Sequence, residues 1–292
     1  MKEELMKKIF VTGVTGQLGH DVSRVLEARG TEVLGVSSRD VDITDFAAVE
    51  RALTAFRPDA VIHCAAYTAV DRAEDEPELC MAVNADGTRN LATVCRQLDI
   101  PMLYVSTDYV FPGEGEQFYA TDDPVGPKNI YGKSKLAGET VVRSLLEKYY
   151  IVRTSWVFGI NGGNFVKTML RLSESREEVT VVCDQIGSPT YTGDLAPLLC
   201  DMIFSDRYGI YHAANAGVCS WAEFAAEIFR QSGKSTKVKP IPTDEYPVKA
   251  SRPLNSRMSM DSLDAGGFSR LPPWQDALRR YLLEFEQGAI NG

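Results

Sequence analysis

A glycine-rich turn caught between an apolar strand and an amphipathic helix constrains this chain more than any other feature. Gly13-Val-Thr-Gly16-Gln-Leu-Gly19 follows the β-rich run Lys8-Ile-Phe-Val-Thr12. It opens a stretch in which Leu18, Val22, Val25 and Leu26 recur at helical spacing. Glycines admit a tight turn and close approach of backbone, and a helix start offers free N–H groups and a favourable dipole to a pyrophosphate. The spacing is G-x-x-G-x-x-G, looser than G-x-G-x-x-G, but the physics is the same. At the first turn of a βαβ series it predicts dinucleotide binding.

The rest of the chain supplies that series. Strand patterns at 32–36, 59–64, 102–106 and 150–153 alternate with helical patterns at 47–56, 77–99 and 133–148. The expected fold class is α/β: a Rossmann-type, doubly wound parallel sheet with a smaller C-terminal α/β substrate domain. Residues 1–155 are read as the NAD(P)-binding domain and 156–292 mainly as the substrate domain. A segment near 190–214 is expected to return to the first. Within the second part, helices are expected at 165–172, 194–204, 221–231 and 274–286. Strands are expected at 179–182 and 209–212, and the stretch holding Pro240, Pro242, Pro247 and Pro253 reads as loop. Met1 to Leu5 read as an extension or one extra helical turn.

Composition narrows the function. A net charge of −9 argues against a nucleic-acid partner, which asks for a neutralising basic surface. No run approaches the roughly 18 apolar residues of a membrane span. Met1 to Lys8 is charged and lacks a signal core, so a cytoplasmic location is expected. Cys64, Cys80, Cys95, Cys183, Cys200 and Cys219 are scattered, without a C-x-x-C pair. They read as buried, reduced thiols, and no metal site is expected.

Two further patterns carry chemistry. An acidic residue normally ends the second strand and holds the ribose hydroxyls of NAD. Here the strand ends Val36-Ser-Ser-Arg39, so Arg39 can face a 2′-phosphate or be a solvated loop charge beside Asp40. NADPH is the expected cofactor, with NADH also accepted. Second, Tyr131-Gly-Lys-Ser-Lys135 places a phenol and an ammonium on one helical face. The expectation is that the ammonium lowers the phenol's pKa and makes it a usable proton donor. Ser106 and Thr107 stand at the carboxyl end of the preceding strand, where open α/β sheets bind ligands.

With these motifs in order, the chain resembles the extended short-chain dehydrogenases/reductases. The likeness extends through Cys64-Ala-Ala-Tyr-Thr-Ala-Val-Asp71, Ser106-Thr-Asp-Tyr-Val-Phe-Pro-Gly113, Arg153-Thr-Ser-Trp156, Asn164-Phe-Val-Lys-Thr-Met169, Asp184-Gln-Ile-Gly-Ser-Pro-Thr190 and Arg252-Pro-Leu-Asn-Ser256. The resemblance is strongest to the family's nucleotide-sugar reductases, and implies reduction of the 4-keto group of dTDP-4-dehydro-L-rhamnose. It implies that Gly13, Gly16, Gln17 and Leu18 line the pyrophosphate and that Asp42 and Ile43 sit by the adenine. Ala66, Tyr67 and Thr68 would border the cofactor, and Tyr131 and Lys135 would touch the nicotinamide ribose. Thr107, Tyr131 and Lys135 would be catalytic. Thr107 and Asp108 would contact the sugar nucleotide, Trp156 would pack on the sugar, and Asn164, Gln185 and Arg252 would reach its diphosphate or base. Arg252 can equally be a structural ion pair and Trp156 a core aromatic. Asn84 reads as a helix residue satisfying nearby backbone. Similar proteins occur as monomers and homodimers.

Three other readings stay open. A 4,6-dehydratase of the family would carry Glu where Tyr109 stands. An epimerase would keep NAD bound and show no net redox. A regulatory subunit like that of methionine adenosyltransferase would bind without catalysis, although Thr107, Tyr131 and Lys135 are intact here.

Overall fold

The computed structural model describes residues 7–290, with side chains described to residue 287. The reading of Met1 to Leu5 lies outside the described residues. In chain order the larger elements are β1 Lys8–Thr12, α1 Gln17–Ala28, β2 Glu32–Val36, α2 Phe46–Phe56, β3 Ala60–His63, α3 Gly87–Leu98, β4 Met102–Thr107, α4 Ile130–Leu145 and β5 Tyr149–Thr154. There follow α5 Phe165–Ser173, β6 Glu178–Val182, α6 Thr192–Ile203, β7 Gly209–His212, α7 Trp221–Gln231, β8 Lys237–Ile241 and α8 Trp274–Ile290.

Six strands make one parallel sheet in the order β7-β5-β4-β3-β1-β2. From β1 the chain moves outward to β2 and then returns to the other side of β1 as β3. The carboxyl ends of β1 and β3 therefore part at a topological switch point, where such sheets bind ligands. Side chains alternate across the sheet. Ile9 and Val11 face one apolar cluster with Leu18, Val22, Leu195 and Leu199 of α1 and α6. Phe10 faces the opposite cluster, with Val49, Leu91 and Val142 of α2, α3 and α4. This period of two is why each strand reads as a continuous apolar run while serving two layers of helices.

A separate core gathers Val166 and Met169 of α5, Val179 and Val181 of β6, Phe224 and Ile228 of α7, and Trp274, Leu278 and Tyr281 of α8. Helix α7 starts on a capping box, in which Ser220 and Glu223 satisfy each other's backbone N–H groups. Strand β8 falls inside the proline-rich stretch expected to be loop, and pairs in parallel with β6, with Pro240 opposite Val181. In a two-stranded sheet the side of β8 away from β6 has no partner strand, so a proline that donates no hydrogen bond is tolerated there. The helix expected over 77–99 begins at Pro77–Met81 and reaches α3 only through a π-turn at Ala82–Asp86. Asn84 lies in that turn, 1% exposed, and its side chain is spent on the backbone of Tyr67 and on Ser134. Four of the six cysteines are buried, but Cys183 is exposed and Cys64 is only half-buried, in a position that lines the cleft described next.

Candidate active site

A cleft of about 610 Å³ opens at the switch point. Its floor is the glycine turn. Gly13 has φ +75, and a Cβ on it would lie 2.7 Å from the backbone nitrogen of Ala65. A Cβ on Gly19 would lie 2.4 Å from the Gly13 carbonyl oxygen. Only glycine allows the turn to fold this tightly against both the β3 exit and its own helix. Helix α1 begins behind Gly16 with no side-chain cap, which leaves its first N–H groups facing the cleft for an anionic ligand. A bare turn, an uncapped helix start and this volume together fit the diphosphate of a dinucleotide.

Of the residues expected to hold the cofactor, Gly13, Gly16, Gln17, Leu18, Asp42, Ile43, Ala66, Thr68, Tyr131 and Lys135 line the cleft. Gln17 does so with its side chain already engaged. Its carbonyl oxygen accepts from the N–H of Gly159 at 2.8 Å and from the Asn164 amide at 3.0 Å. Its amide nitrogen, in contact with the Val157 carbonyl at 3.5 Å, keeps a donor to offer a ligand. Tyr67 lies outside the lining, its hydroxyl donating to Glu76 at 2.7 Å and its N–H to Asn84. Arg39 is exposed and also outside the lining, whereas Ser37 and Ser38 are part of it. Asp40 is the reason the β2 exit holds its shape, since its carboxylate accepts from both the N–H and the hydroxyl of Ser37.

Tyr131 and Lys135 reach the cleft because α4 starts where it does. Asn129 caps the helix, accepting from the Gly132 N–H at 2.8 Å, and its own amide donates to the Ser251 carbonyl at 2.7 Å. Tyr131 then stands edge-on to Tyr109, with ring centroids 5.5 Å apart, and Thr107 lies beside its phenol. Lys135 is 2% exposed, and its Nζ sits 4.0 Å from the centre of the Tyr104 ring. Burial pushes its pKa down to about 7, with Glu139 opposing the shift. Burial likewise pushes the Tyr131 phenol well above its ordinary value, and Thr107 works against that. The expected lowering of the phenol by Lys135 does not appear: burial sets the direction of its shift. The consequence is a phenol that holds its proton near neutral pH, which is the form a proton donor needs.

Behind this pair lies a buried charge cluster that the sequence did not single out. Arg153 donates to both oxygens of Glu139, at 2.9 and 2.8 Å, and Ser106 donates to Glu139 at 2.6 Å. Glu139 follows Lys135 by one turn, so an i, i+4 extension of the Tyr–Lys pattern was the available signal. Asp108 is 3% exposed, and burial raises its pKa to about 6, opposed by hydrogen bonds from Ser256 and Thr107.

The expected substrate contacts fall in different places. Trp156 lines the cleft, with φ 48 in the left-handed region, and its indole stacks on Trp221 at 3.7 Å and 13°. Such strain in a large residue persists only where its surroundings enforce it. Asn164 caps α5, donates to the Gly159 carbonyl and lies behind the cleft wall. Gln185 is buried and donates to the Thr243 hydroxyl at 3.1 Å. Arg252 clasps both oxygens of Asp71, at 3.1 and 2.6 Å. These last three, with Thr107 and Asp108, are outside the cleft lining. Thr107 lies beside Tyr131, which does line the cleft.

A six-stranded parallel sheet, a glycine turn at its switch point and a Tyr–Lys helix beside it define a Rossmann-type dinucleotide-binding protein. Comparison with known proteins gives the narrower assignment. Residues 6–287 match the model of the RmlD substrate binding domain family, and the chain belongs to that family. It is 43% identical over 279 residues to the spore coat polysaccharide biosynthesis protein SpsK of Bacillus subtilis, covering 96% of this chain and 98% of that one. It is also 43% identical over 276 residues to dTDP-4-dehydrorhamnose reductase of Streptomyces griseus, covering 92% and 91%. Among solved structures, dTDP-4-dehydrorhamnose reductase of Bacillus anthracis in complex with NADP superposes with a TM-score of 0.94. That pair is 42% identical, over 96% of this chain and 100% of that one.

Proposed function

We propose that the protein reduces the 4-keto group of dTDP-4-dehydro-β-L-rhamnose to dTDP-β-L-rhamnose with NADPH, and accepts NADH as well. The observation that carries this reading is that Tyr131 and Lys135, one helical turn apart, both line a dinucleotide cleft, with Thr107 beside the phenol. The reductase activity for which the Streptomyces relative is named and the NADP bound in the Bacillus anthracis structure support it. A tyrosine where a dehydratase would carry a carboxylate, Tyr109, speaks against elimination of water.

The roles follow from position. The turn at Gly13 to Gly19 and the start of α1 hold the cofactor diphosphate, and Asp42 and Ile43 border the adenine. Ser37 and Ser38, with Arg39 beyond them, receive the 2′-phosphate. Bound NADPH supplies a hydride to the carbonyl carbon. Tyr131 gives its proton to the carbonyl oxygen as negative charge builds there, and Thr107 turns its hydroxyl onto the same oxygen. Donors placed where charge develops supply a large share of catalysis. Lys135 holds the nicotinamide ribose, and its charge favours the phenolate that remains. Trp156 packs on the sugar, and Arg252, held ready by Asp71, takes the diphosphate. Residues 1–155 with the segment near 190–214 serve the cofactor and the remainder the sugar nucleotide. The reaction belongs to the cytoplasm, carried out by a monomer or homodimer.

The test is a coupled assay. The keto sugar is made in place by preceding enzymes, this protein is added, and loss of reduced-nicotinamide absorbance is followed with NADPH and NADH in parallel. Oxidation with formation of dTDP-L-rhamnose is expected. No oxidation by folded protein that still binds NADPH would overturn the reading.

A further inference from the structure

Ser256 ends the motif Arg252-Pro-Leu-Asn-Ser256, 148 residues along the chain from Asp108, the side chain it touches. Its N–H donates to the Ile186 carbonyl at 2.8 Å, and that of Asn255 donates to the Gly113 carbonyl at 3.0 Å. These bonds fix the segment across the end of β4. From there the Ser256 hydroxyl donates to Oδ2 of Asp108. Oδ1 of Asp108 accepts from the Thr107 hydroxyl at 3.0 Å, and Thr107 lies beside the Tyr131 phenol. Three hydrogen-bonded side chains thus run from the C-terminal segment towards the phenol. Thr107, Asp108 and Ser256 are 5%, 3% and 3% exposed.

We propose that Ser256 is a positioning residue for the reduction: its hydroxyl holds the Asp108 carboxylate, and through it Thr107, in register with Tyr131. The inference rests on the reductase reading above. The count of protons gives the reason. Thr107 has one hydroxyl proton, and it lies on Asp108 in the resting site. To engage the substrate carbonyl, Thr107 must take that proton away from Asp108. Asp108 then keeps the hydroxyl of Ser256 as its remaining side-chain donor. Without Ser256 the same turn leaves a buried carboxylate short of donors, a costly state that opposes the motion. Ser256 therefore contributes most once the carbonyl is engaged, so its loss falls on kcat rather than on cofactor binding. The titratable groups facing Asp108 are Tyr109 and Tyr131, both pushed up by burial and neutral near pH 7; beyond Tyr109, Arg252 and Asp71 are paired to each other.

The experiment compares the full-length protein with its Ser256→Ala variant in the coupled assay, together with NADPH affinity by calorimetry. A third readout is the titration of Asp108 by carbon NMR on protein labelled at the aspartate carboxyls, the signal being assigned with Asp108→Asn. Removing a hydrogen bond to a charged group should lower kcat roughly tenfold or more while NADPH affinity stays within about twofold. The Asp108 midpoint should move to higher pH, because a donor that favours the charged form has gone. Ser256→Cys, close in volume and a weak donor, carries the same test should the alanine variant not fold. Wild-type kcat in a folded variant overturns the inference, and so does an unmoved Asp108 midpoint. Absence of turnover in the wild-type protein is a different result: it overturns the reductase reading and the inference with it.

Discussion

The two walls of the cleft are built in different ways. The cofactor wall is made of backbone and short-range sequence: a seven-residue turn from Gly13 to Gly19, the uncapped start of α1 and the ends of adjacent parallel strands. The opposite wall is assembled from side chains far apart in the chain. Trp156, in the lining, leans on Trp221, and outside the lining Arg252 reaches Asp71 and Ser256 reaches Asp108. A backbone cradle recognises what every dinucleotide shares. A wall of side chains can change its occupant by substitution without disturbing the sheet, which is how one fold serves many substrates. On the proposed function, general binding falls to the first wall and substrate choice to the second.

Substitutions on the two walls sharpen or break this contrast. The largest effect is expected beneath the cofactor wall. Arg153→Met leaves the buried Glu139 without its ion-pair partner and with Ser106 as its remaining side-chain donor, and should cost about 3–5 kcal/mol of stability by urea unfolding. A loss under 1 kcal/mol would mean that water or another donor reaches Glu139. Next comes Tyr131→Phe, which should cut turnover by at least ~10²-fold, the scale of general acid catalysis, while NADPH binding by calorimetry is retained. Normal turnover would remove Tyr131 from the mechanism. Gly13→Ala forces a left-handed residue at a cost of about 1–2 kcal/mol, in addition to its clash with Ala65. NADPH affinity should fall by tenfold or more, whereas a dTDP titration should be nearly unchanged. Equal losses for both ligands would break the contrast between the walls. The smallest effect is expected for stability in Arg252→Ala. The Arg252–Asp71 pair is partly solvated, so the thermal midpoint should report a change of less than ~1 kcal/mol, while KM for the nucleotide sugar rises. An unchanged KM would leave Arg252 as a structural ion pair.

The same contrast explains what the sequence could reveal. The cofactor wall was legible because its determinants are local: a strand, three glycines at fixed spacing and a helical period lie within about twenty residues. Tyr131 and Lys135 were legible for the same reason, being one helical turn apart. Strand β8 was not, because Pro240 looks like a loop residue until Val181 is known to stand opposite. Gln17 lines the cleft, but its side-chain oxygen is held by Gly159 and Asn164, over 140 positions away, which no local spacing reports. The direction of the Tyr131 shift was misjudged for a related reason. Spacing reports that a charge is near, and only the folded core reports that water is absent. Gln185 is likewise committed to Thr243, a partner that no motif names.

The central claim is that a hydride passes from a cofactor on one wall to a sugar held by the other, with Tyr131 supplying the proton. The most direct test is isotopic. NADPH carrying deuterium at the transferable position of the nicotinamide is supplied with dTDP-4-dehydro-L-rhamnose, and the product is analysed by mass spectrometry and proton NMR. The account predicts dTDP-L-rhamnose with one deuterium, located at C4. Product without deuterium, or a sugar changed in configuration with no NADPH consumed, would contradict it.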